Sequence, residues 1–334
     1  MLVAPGTLVF QEERIDPENL APNEIFCETL VSAISPGTEL AAFQGAPPLR
    51  PMTKVYPRLV GYMNVAEVQR IGSTVHACSV GDRVLTYACH RSHSIMSEDK
   101  VMAVLPRSLD PEAAALAYLY RLALSGLRRG QLKCGSAIGV IGLGPIGLCA
   151  VQQASLLGAS VTAASARLEA LALARQLGAV RTLHTDRDDP GATLHEAPDL
   201  DAVITTSNRW EDWHLALALP RFNGVIVVLG FPGRGQPLPR FNPLASEYLY
   251  DRQLSIMGAG MSPGTPGSRD DDGPEVQRAD LRDILGQMAD GVLDPSALID
   301  GIFDAANLAN AYQTLSKSRP GSGTLVMRWQ PTTY

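Results

Sequence analysis

The sequence contains no C-x-x-C pair. Its five cysteines, Cys27, Cys78, Cys89, Cys134 and Cys149, are an odd number scattered along 334 residues. This fits reduced thiols in a reducing compartment and predicts no structural disulfide. Lys and Arg are dispersed rather than run together, and 28 basic against 34 acidic residues leave a net charge of −6. Nothing is basic enough to hold a phosphate backbone, so nucleic acid is excluded as a partner. No hydrophobic run is long enough to span a bilayer: the most apolar stretch, Ala137 to Val151, is punctuated by glycines and stopped by Gln152 and Gln153, so no membrane partner is expected. Met1 to Phe10 has no basic segment followed by an apolar core and does not read as a secretory signal, so a cytoplasmic location is expected. Internal repeats are absent as well.

What is present is the composition of an ordinary two-domain protein, 46% hydrophobic and 19% charged, since single cores stop growing below this length. Up to about Pro106 the chain reads as short β-rich runs broken by Gly and Pro: Glu24 to Ser35, Met63 to Ile71, Asp82 to Cys89 and Lys100 to Leu105. This predicts a compact β-barrel-like domain. A helical run, Glu112 to Leu127, then leads into strands at Ala137 to Ile141, Ser160 to Ala164, Ala202 to Thr206, Val225 to Leu229 and Leu254 to Met257. Helical stretches separate them at Pro145 to Leu157, Arg167 to Leu177 and Trp210 to Leu219, which is the alternation of an α/β domain with a doubly wound parallel sheet. Met261 to Pro274, rich in Gly, Pro and Asp, reads as a crossing back to the first domain, followed by a helix near Val276 to Asp290 and a tail from Tyr312 to Trp329. The expected domains are residues 1–122 with 258–334, and 123–257.

The segment Gly142-Leu143-Gly144-Pro145-Ile146-Gly147 puts G-x-G-x-x-G directly after an apolar strand and at the opening of a helix. There Gly142 permits the tight turn, Gly144 lets backbone amides approach a pyrophosphate, and Gly147 lets helix pack on strand. Pro145 suits the first helical position, and the amides that follow, from Ile146 on, face the phosphates with the positive end of the helix dipole. About 20 residues on, where an acidic side chain would bind a ribose 2′-hydroxyl, the chain reads Ala163-Ala164-Ser165-Ala166-Arg167. With no carboxylate to repel a 2′-phosphate, Ser165 and Arg167 are candidates to hold one, which favours NADPH over NADH. The plainer alternative makes Arg167 a solvated residue in the first turn of the next helix. Thr206, at the end of the strand Ala202 to Thr206, and Leu229 and Gly230, at the end of Val225 to Leu229, complete the expected cofactor set.

An N-terminal β domain, this glycine motif and a returning tail together resemble the medium-chain dehydrogenase/reductase superfamily over the whole chain. Supporting matches, in order, are Gly81-Asp82-Arg83-Val84, Leu105-Pro106, Gln176-Leu177-Gly178-Ala179 and Val228-Leu229-Gly230. The resemblance implies a GroES-like catalytic domain, a Rossmann domain and a homodimer. It also says where a metal would sit. Zinc-containing members carry a cysteine just before G-[ST]-[DE], where this chain has Pro36 before Gly37-Thr38-Glu39, and a Gly-His-Glu triplet, where it has Gly61-Tyr62-Met63. The third ligand position falls near Tyr118. None of these is a normal zinc ligand, and the four-cysteine loop that binds structural zinc in many relatives is missing, because Cys89 to Pro106 holds one cysteine. The expectation is no zinc; a new site from Cys89, His90 and His93 is the counter-reading. The Ser35-to-Glu39 stretch and the Gly61-Tyr62 pair are similar to the bacteriochlorophyllide hydroxyethyl dehydrogenase branch.

Without a metal, the acceptor must be polarised by hydrogen bonding and a proton supplied to the atom that hydride addition leaves negative. Tyr62, Thr38, Tyr118 and His93 are the candidates. For both tyrosines, lining a pocket is the competing role; for His93 it is a satisfied histidine near the surface. Glu39 reads as support for the turn after Thr38, while Arg121, Tyr120 and Trp213 are explained by helix packing as well as by substrate contact. Three functions stay open: an NADPH-dependent reductase of a small molecule with a C=O, C=C or C=N bond, a zinc-free secondary-alcohol dehydrogenase run oxidatively, and a cofactor-binding protein without turnover.

Overall fold

The computed structural model describes residues 1–49, 54–187, 199–260, 273–318 and 321–329. The chain divides into two compact units, Met1–Tyr118 with Pro266–Tyr334, and Leu119–Thr265. The first boundary precedes the expected residue 122 and falls inside the helix Ala117–Arg129. That helix carries no Gly-Pro or polar cluster at the boundary, so composition has nothing there to mark it. Most of the expected crossing loop, residues 261–272 including Arg269 to Asp272, lies outside the described residues.

In the first unit the ten-residue strand Glu24–Ala33 is the hub. One edge pairs antiparallel with Asn64–Ile71. The other is shared, Glu24 to Glu28 taking His93–Ser97 and Val31 to Ala33 taking Thr324–Arg328. The sheet runs Ile299–Asp304, Thr324–Arg328, Glu24–Ala33, Asn64–Ile71, Arg83–Thr86, Val101–Val104, with the first pair parallel and the rest antiparallel. The C-terminal tail therefore returns to the N-terminal sheet as a strand.

Among the elements of this unit that go beyond the sequence expectations are the strands His93–Ser97 and Ile299–Asp304 and the helices Thr38–Gln44 and Leu308–Ser318. The expected Asp82-to-Cys89 strand is shorter, Arg83–Thr86. It ends because Ala88 N–H turns to the Thr86 hydroxyl at 3.2 Å and His90 N–H leaves for Val60 C=O at 2.9 Å. One apolar core packs Leu40 and Phe43 of the Thr38–Gln44 helix against Tyr312 and Leu315 of the Leu308–Ser318 helix, with Ile34, Leu325 and Met327 from the sheet. Another gathers Ile25, Cys27, Val68, Val84 and Val101.

The second unit holds a six-stranded parallel sheet in the order Arg181–His184, Ser160–Ser165, Ala137–Ile141, Leu200–Thr205, Pro220–Val228, Ser255–Gly258. Five of these match the expected strands. The Arg181–His184 strand does not declare itself, because its four residues show no apolar run or alternation. In order of appearance the strands are 3-2-1-4-5-6, so the direction of winding reverses between Ala137–Ile141 and Leu200–Thr205, and a ligand crevice opens beyond their carboxyl ends.

Trp213, Leu215 and Leu217 of the helix Trp210–Ala218 pack against Val203, Ile226 and Leu254. Trp213 is 6% exposed, so packing, and not substrate contact, accounts for it. Trp213→Ala is expected to lower unfolding free energy by about 3–5 kcal/mol, read from the denaturant midpoint. A loss below about 1 kcal/mol would show the ring is not part of this core.

Candidate active site

The crevice of the second unit is built around Gly142. Its φ of 88° is left-handed backbone that favours glycine, and a Cβ there would lie 2.7 Å from Ser207 N. Gly142 N–H donates to Ala164 C=O at 3.0 Å, and the Thr206 hydroxyl donates to Gly142 C=O at 2.6 Å. A Cβ on Gly147 would lie 2.0 Å from that same Gly142 oxygen, so only glycine lets the helix Pro145–Leu156 approach the turn. Over Gly144 the space is open. Pro145 has no N–H, which leaves Ile146 and Gly147 to present theirs to a phosphate.

Ser165 and Arg167 stand at the end of the second strand. Arg167 N–H donates to the Ser165 hydroxyl at 3.1 Å, and the Arg167 guanidinium donates to Leu143 C=O at 3.2 Å. The cation is thus drawn across the mouth of the glycine turn instead of standing away from it. Gly230 N–H and Leu229 N–H both donate to Thr205 C=O, at 3.0 and 2.9 Å, and a Cβ on Gly230 would lie 2.4 Å from Ser207 C=O. The residues expected from sequence to bind the cofactor therefore share one crevice. An open cradle over Gly144, presented amides and a nearby guanidinium fit a dinucleotide carrying a 2′-phosphate.

The first unit holds a separate aromatic and hydroxyl cluster. Tyr118 is edge-on to Tyr62 at 5.3 Å and to Tyr87 at 5.1 Å between centroids, and the Tyr87 hydroxyl donates to Gln277 Oε1 at 3.4 Å. The Tyr62 phenol donates to Ser35 Oγ and is also hydrogen-bonded by Thr38. Burial raises the Tyr62 phenol well above its ordinary range, with the negative charge of Glu39 and then Tyr118 adding to the effect, while the two hydroxyls pull the other way. Tyr62 is therefore protonated across the neutral range.

Behind the hydroxyls lies a buried carboxylate that sequence reasoning gave only a supporting part. Glu39 Oε1 accepts from Ser35 N–H at 2.8 Å; Oε2 accepts from the Tyr312 hydroxyl and faces His90 Nε2 at 3.0 Å. His90 Nδ1 meets Ser32 Oγ at 2.8 Å, and Ser32 Oγ accepts from the Trp329 indole at 2.9 Å. A carboxylate only accepts, so the His90 Nε2 facing Glu39 is the donor of that pair. Gly61, next to Tyr62, has φ 98°, and a Cβ there would lie 2.5 Å from His90 N. The glycine thus lets the His90 loop close against the Tyr62 segment.

Of the four catalytic candidates, Tyr62, Thr38 and Tyr118 come together, and His93 does not join them. His93 stacks on Phe26 at 5.6 Å and faces Glu28 at 3.6 Å from the His93–Ser97 strand. His90, three residues earlier, is the histidine of the cluster. Both its nitrogens are engaged, and Cys89 Sγ accepts from Arg91 Nε at 3.0 Å, so Cys89, His90 and His93 do not converge as ligands. Pro36 is buried and offers no donor; with the protonated Tyr62 phenol and Tyr118 it makes a set that does not fit zinc. Among the described residues no three or more His, Cys, Asp and Glu gather to hold a metal ion. Tyr120 donates to Gln152 in the second unit, and Arg121 is fully buried, which places both in helix packing.

The fold is shared with solved structures of dehydrogenases. Its likeness to galactitol-1-phosphate dehydrogenase of Escherichia coli has a TM-score of 0.77 at 19% identity, covering 95% of this chain and 96% of that one. For 2R,3R-butanediol dehydrogenase of Bacillus subtilis the TM-score is 0.77 at 19% identity, covering 99% and 98%. Residues 145–268 match the family described as zinc-binding dehydrogenase. Sorbitol dehydrogenase of Bacillus subtilis (strain 168) is 26% identical over 60% of this chain and 65% of its own length. D-guloside 3-dehydrogenase of Shigella flexneri is 24% identical over 96% of both chains. The chain thus shares its fold with solved dehydrogenases over its whole length, and its segment 145–268 matches a dehydrogenase family.

Gly147→Ala is expected to abolish tight dinucleotide binding, because its methyl meets a backbone oxygen that cannot move without opening the turn. Titration of NADPH fluorescence checks this; an unchanged dissociation constant would place the cofactor elsewhere.

Proposed function

We propose that the chain is a zinc-independent, NADPH-dependent oxidoreductase that reduces a C=O, C=C or C=N bond of a small organic substrate. The observation that carries the reading is the exchange of metal-binding side chains for a buried proline and two tyrosines, one of them hydrogen-bonded by Ser35 and Thr38. The glycine turn, with Ile146, Gly147, Ser165 and Arg167, would hold the cofactor, which supplies the hydride when bound. An NADP-dependent isopropanol dehydrogenase of Entamoeba histolytica is 23% identical over 78% of both chains, in keeping with NADP and with the C=O arm.

Tyr62 is the proton donor in this reading. Its single proton, donated to Ser35 Oγ in this structure, would turn to the acceptor atom, polarise it and transfer as that atom becomes negative; Ser35 and Thr38 would then donate to the phenolate until solvent returns the proton. Tyr118 and Tyr87 wall the cluster and hold the ring. Run backwards, the same groups would take the hydroxyl proton of a secondary alcohol, and the dehydrogenase names of the relatives favour that as the second reading. A cytoplasmic homodimer is part of the proposal. Among the described residues the outer edge of Ser255–Gly258 takes no further strand, and Ile256 on it is 36% exposed, which suits pairing with a second copy.

Tyr62→Phe is expected to lower kcat by about 10²–10⁴-fold while leaving NADPH affinity intact, and chelator-treated wild type to keep its rate. One stoichiometric divalent cation whose removal stops turnover would overturn the metal-free reading. For Arg167→Ala the NADPH dissociation constant should rise roughly tenfold or more, as befits a lost charge-assisted hydrogen bond, with a smaller change for NADH. Equal changes for the two cofactors would return Arg167 to the solvent.

A further inference from the structure

Glu39 is 3% exposed, and the His90 side chain opposite it is 1% exposed. A buried carboxylate is retained only if its charge is met by donors. Here three are supplied, from Ser35 N–H, His90 Nε2 and the Tyr312 hydroxyl. This is more than a turn needs. The Ser35 amide alone would anchor residues 35–39, whereas the two Oε2 donors come from residue 90 and from residue 312, on other elements. The same Ser35 whose amide is held by the carboxylate offers its hydroxyl to Tyr62.

Resting on the reading of Tyr62 as proton donor, we infer that Glu39 is its positioning residue: held as a buried anion by His90 and Tyr312, it fixes Ser35 under the phenol and keeps a negative charge behind it. The anion opposes loss of the Tyr62 proton in the resting protein, so the proton leaves only toward a substrate atom that is itself becoming negative. Other groups facing Tyr62 are Tyr118 from the Ala117–Arg129 helix, Thr38 from the Thr38–Gln44 helix, and Ser35. Facing Glu39 are His90, Tyr312 and Tyr62. His90 contributes as a donor through Nε2, its Nδ1 being held by Ser32 Oγ.

The sign of the effect follows. A like charge raises an acid's pKa, so neutralising Glu39 must make the Tyr62 proton easier to lose. Tyrosinate absorbance is to be titrated on the full chain for wild type, Tyr62→Phe, Glu39→Gln and Glu39→Gln/Tyr62→Phe, and each difference between a parent and its Tyr62→Phe partner isolates Tyr62. In Glu39→Gln the Tyr62 transition is expected to move down by about one pH unit or more. A merely structural Glu39 would not move it, and coincident Tyr62 transitions in the two backgrounds overturn the inference. The titration needs no substrate. A shifted transition in a protein without turnover would therefore sink the reductase reading alone, and turnover with an unshifted transition would sink this one alone. If Glu39→Gln does not fold, Ser35→Ala carries the test, because it removes only the hydroxyl under the phenol. It should lower kcat about tenfold with KM and NADPH affinity unchanged, and an unchanged kcat overturns the inference.

Discussion

A carboxylate taken out of water costs several kcal/mol unless its lone pairs are satisfied, and in the first unit that single demand falls on Glu39. Its donors come from three distant stretches of chain, residues 35, 90 and 312. Satisfying it requires the short Thr38–Gln44 helix to start where it does, the loop after Arg83–Thr86 to leave the sheet, and the Leu308–Ser318 helix to lie against Phe43. Each requirement is met by a feature that looks incidental in isolation: a left-handed glycine at 61, a Pro-Gly pair at 36 and 37, and a tail that returns as a strand beside Glu24–Ala33.

The second unit depends on nothing so distributed. Its crevice follows from backbone geometry within one segment, since Gly142 needs positive φ and Gly147 needs to lack a Cβ. Thr206 then locks the turn from the neighbouring strand. The two units thus divide the labour physically. In the proposed reading the second unit would bind through backbone amides that any sequence with the right glycines would present, and the first would set chemistry through side chains whose environment is assembled from the whole unit.

That division explains what was legible beforehand. The parallel sheet, the glycine turn and the missing carboxylate near Ser165 could be read because their determinants are local. The Arg181–His184 strand could not, lacking an apolar pattern, and neither could the Thr38–Gln44 helix, because Pro36-Gly37 looks like a turn and the helix is only seven residues long. His93 is the histidine that the sequence offers as a proton donor, with a satisfied histidine near the surface as its competing role. The pleat instead turns His93 onto Phe26, and the departing loop brings His90 to Glu39. Tyr312 lies 273 residues from Glu39 in the chain, and no spacing rule connects such a pair. A faint signal did exist for Glu39 itself, an acid two residues after a Pro-Gly turn and at the start of a helix, where it reaches back to the amide of Ser35.

In the proposed metal-free reading, phenols standing where ligands would be also change how charge must be handled. A divalent ion stabilises a developing oxyanion without any proton changing hands, and a negative second layer behind it is tolerated because the ion is positive. Remove the ion's ligands and keep the acidic second layer, and the nearest donor must be an acid weak enough to stay protonated beside a carboxylate. A carboxylic acid or an imidazolium in the Tyr62 position would face Glu39 directly and either pair with it or share its proton. A phenol, with an ordinary pKa of about 10 pushed upward by burial and by Glu39, keeps its proton next to the anion. In that reading Tyr62 and the buried Glu39 belong together: the carboxylate limits which proton donor can stand beside it.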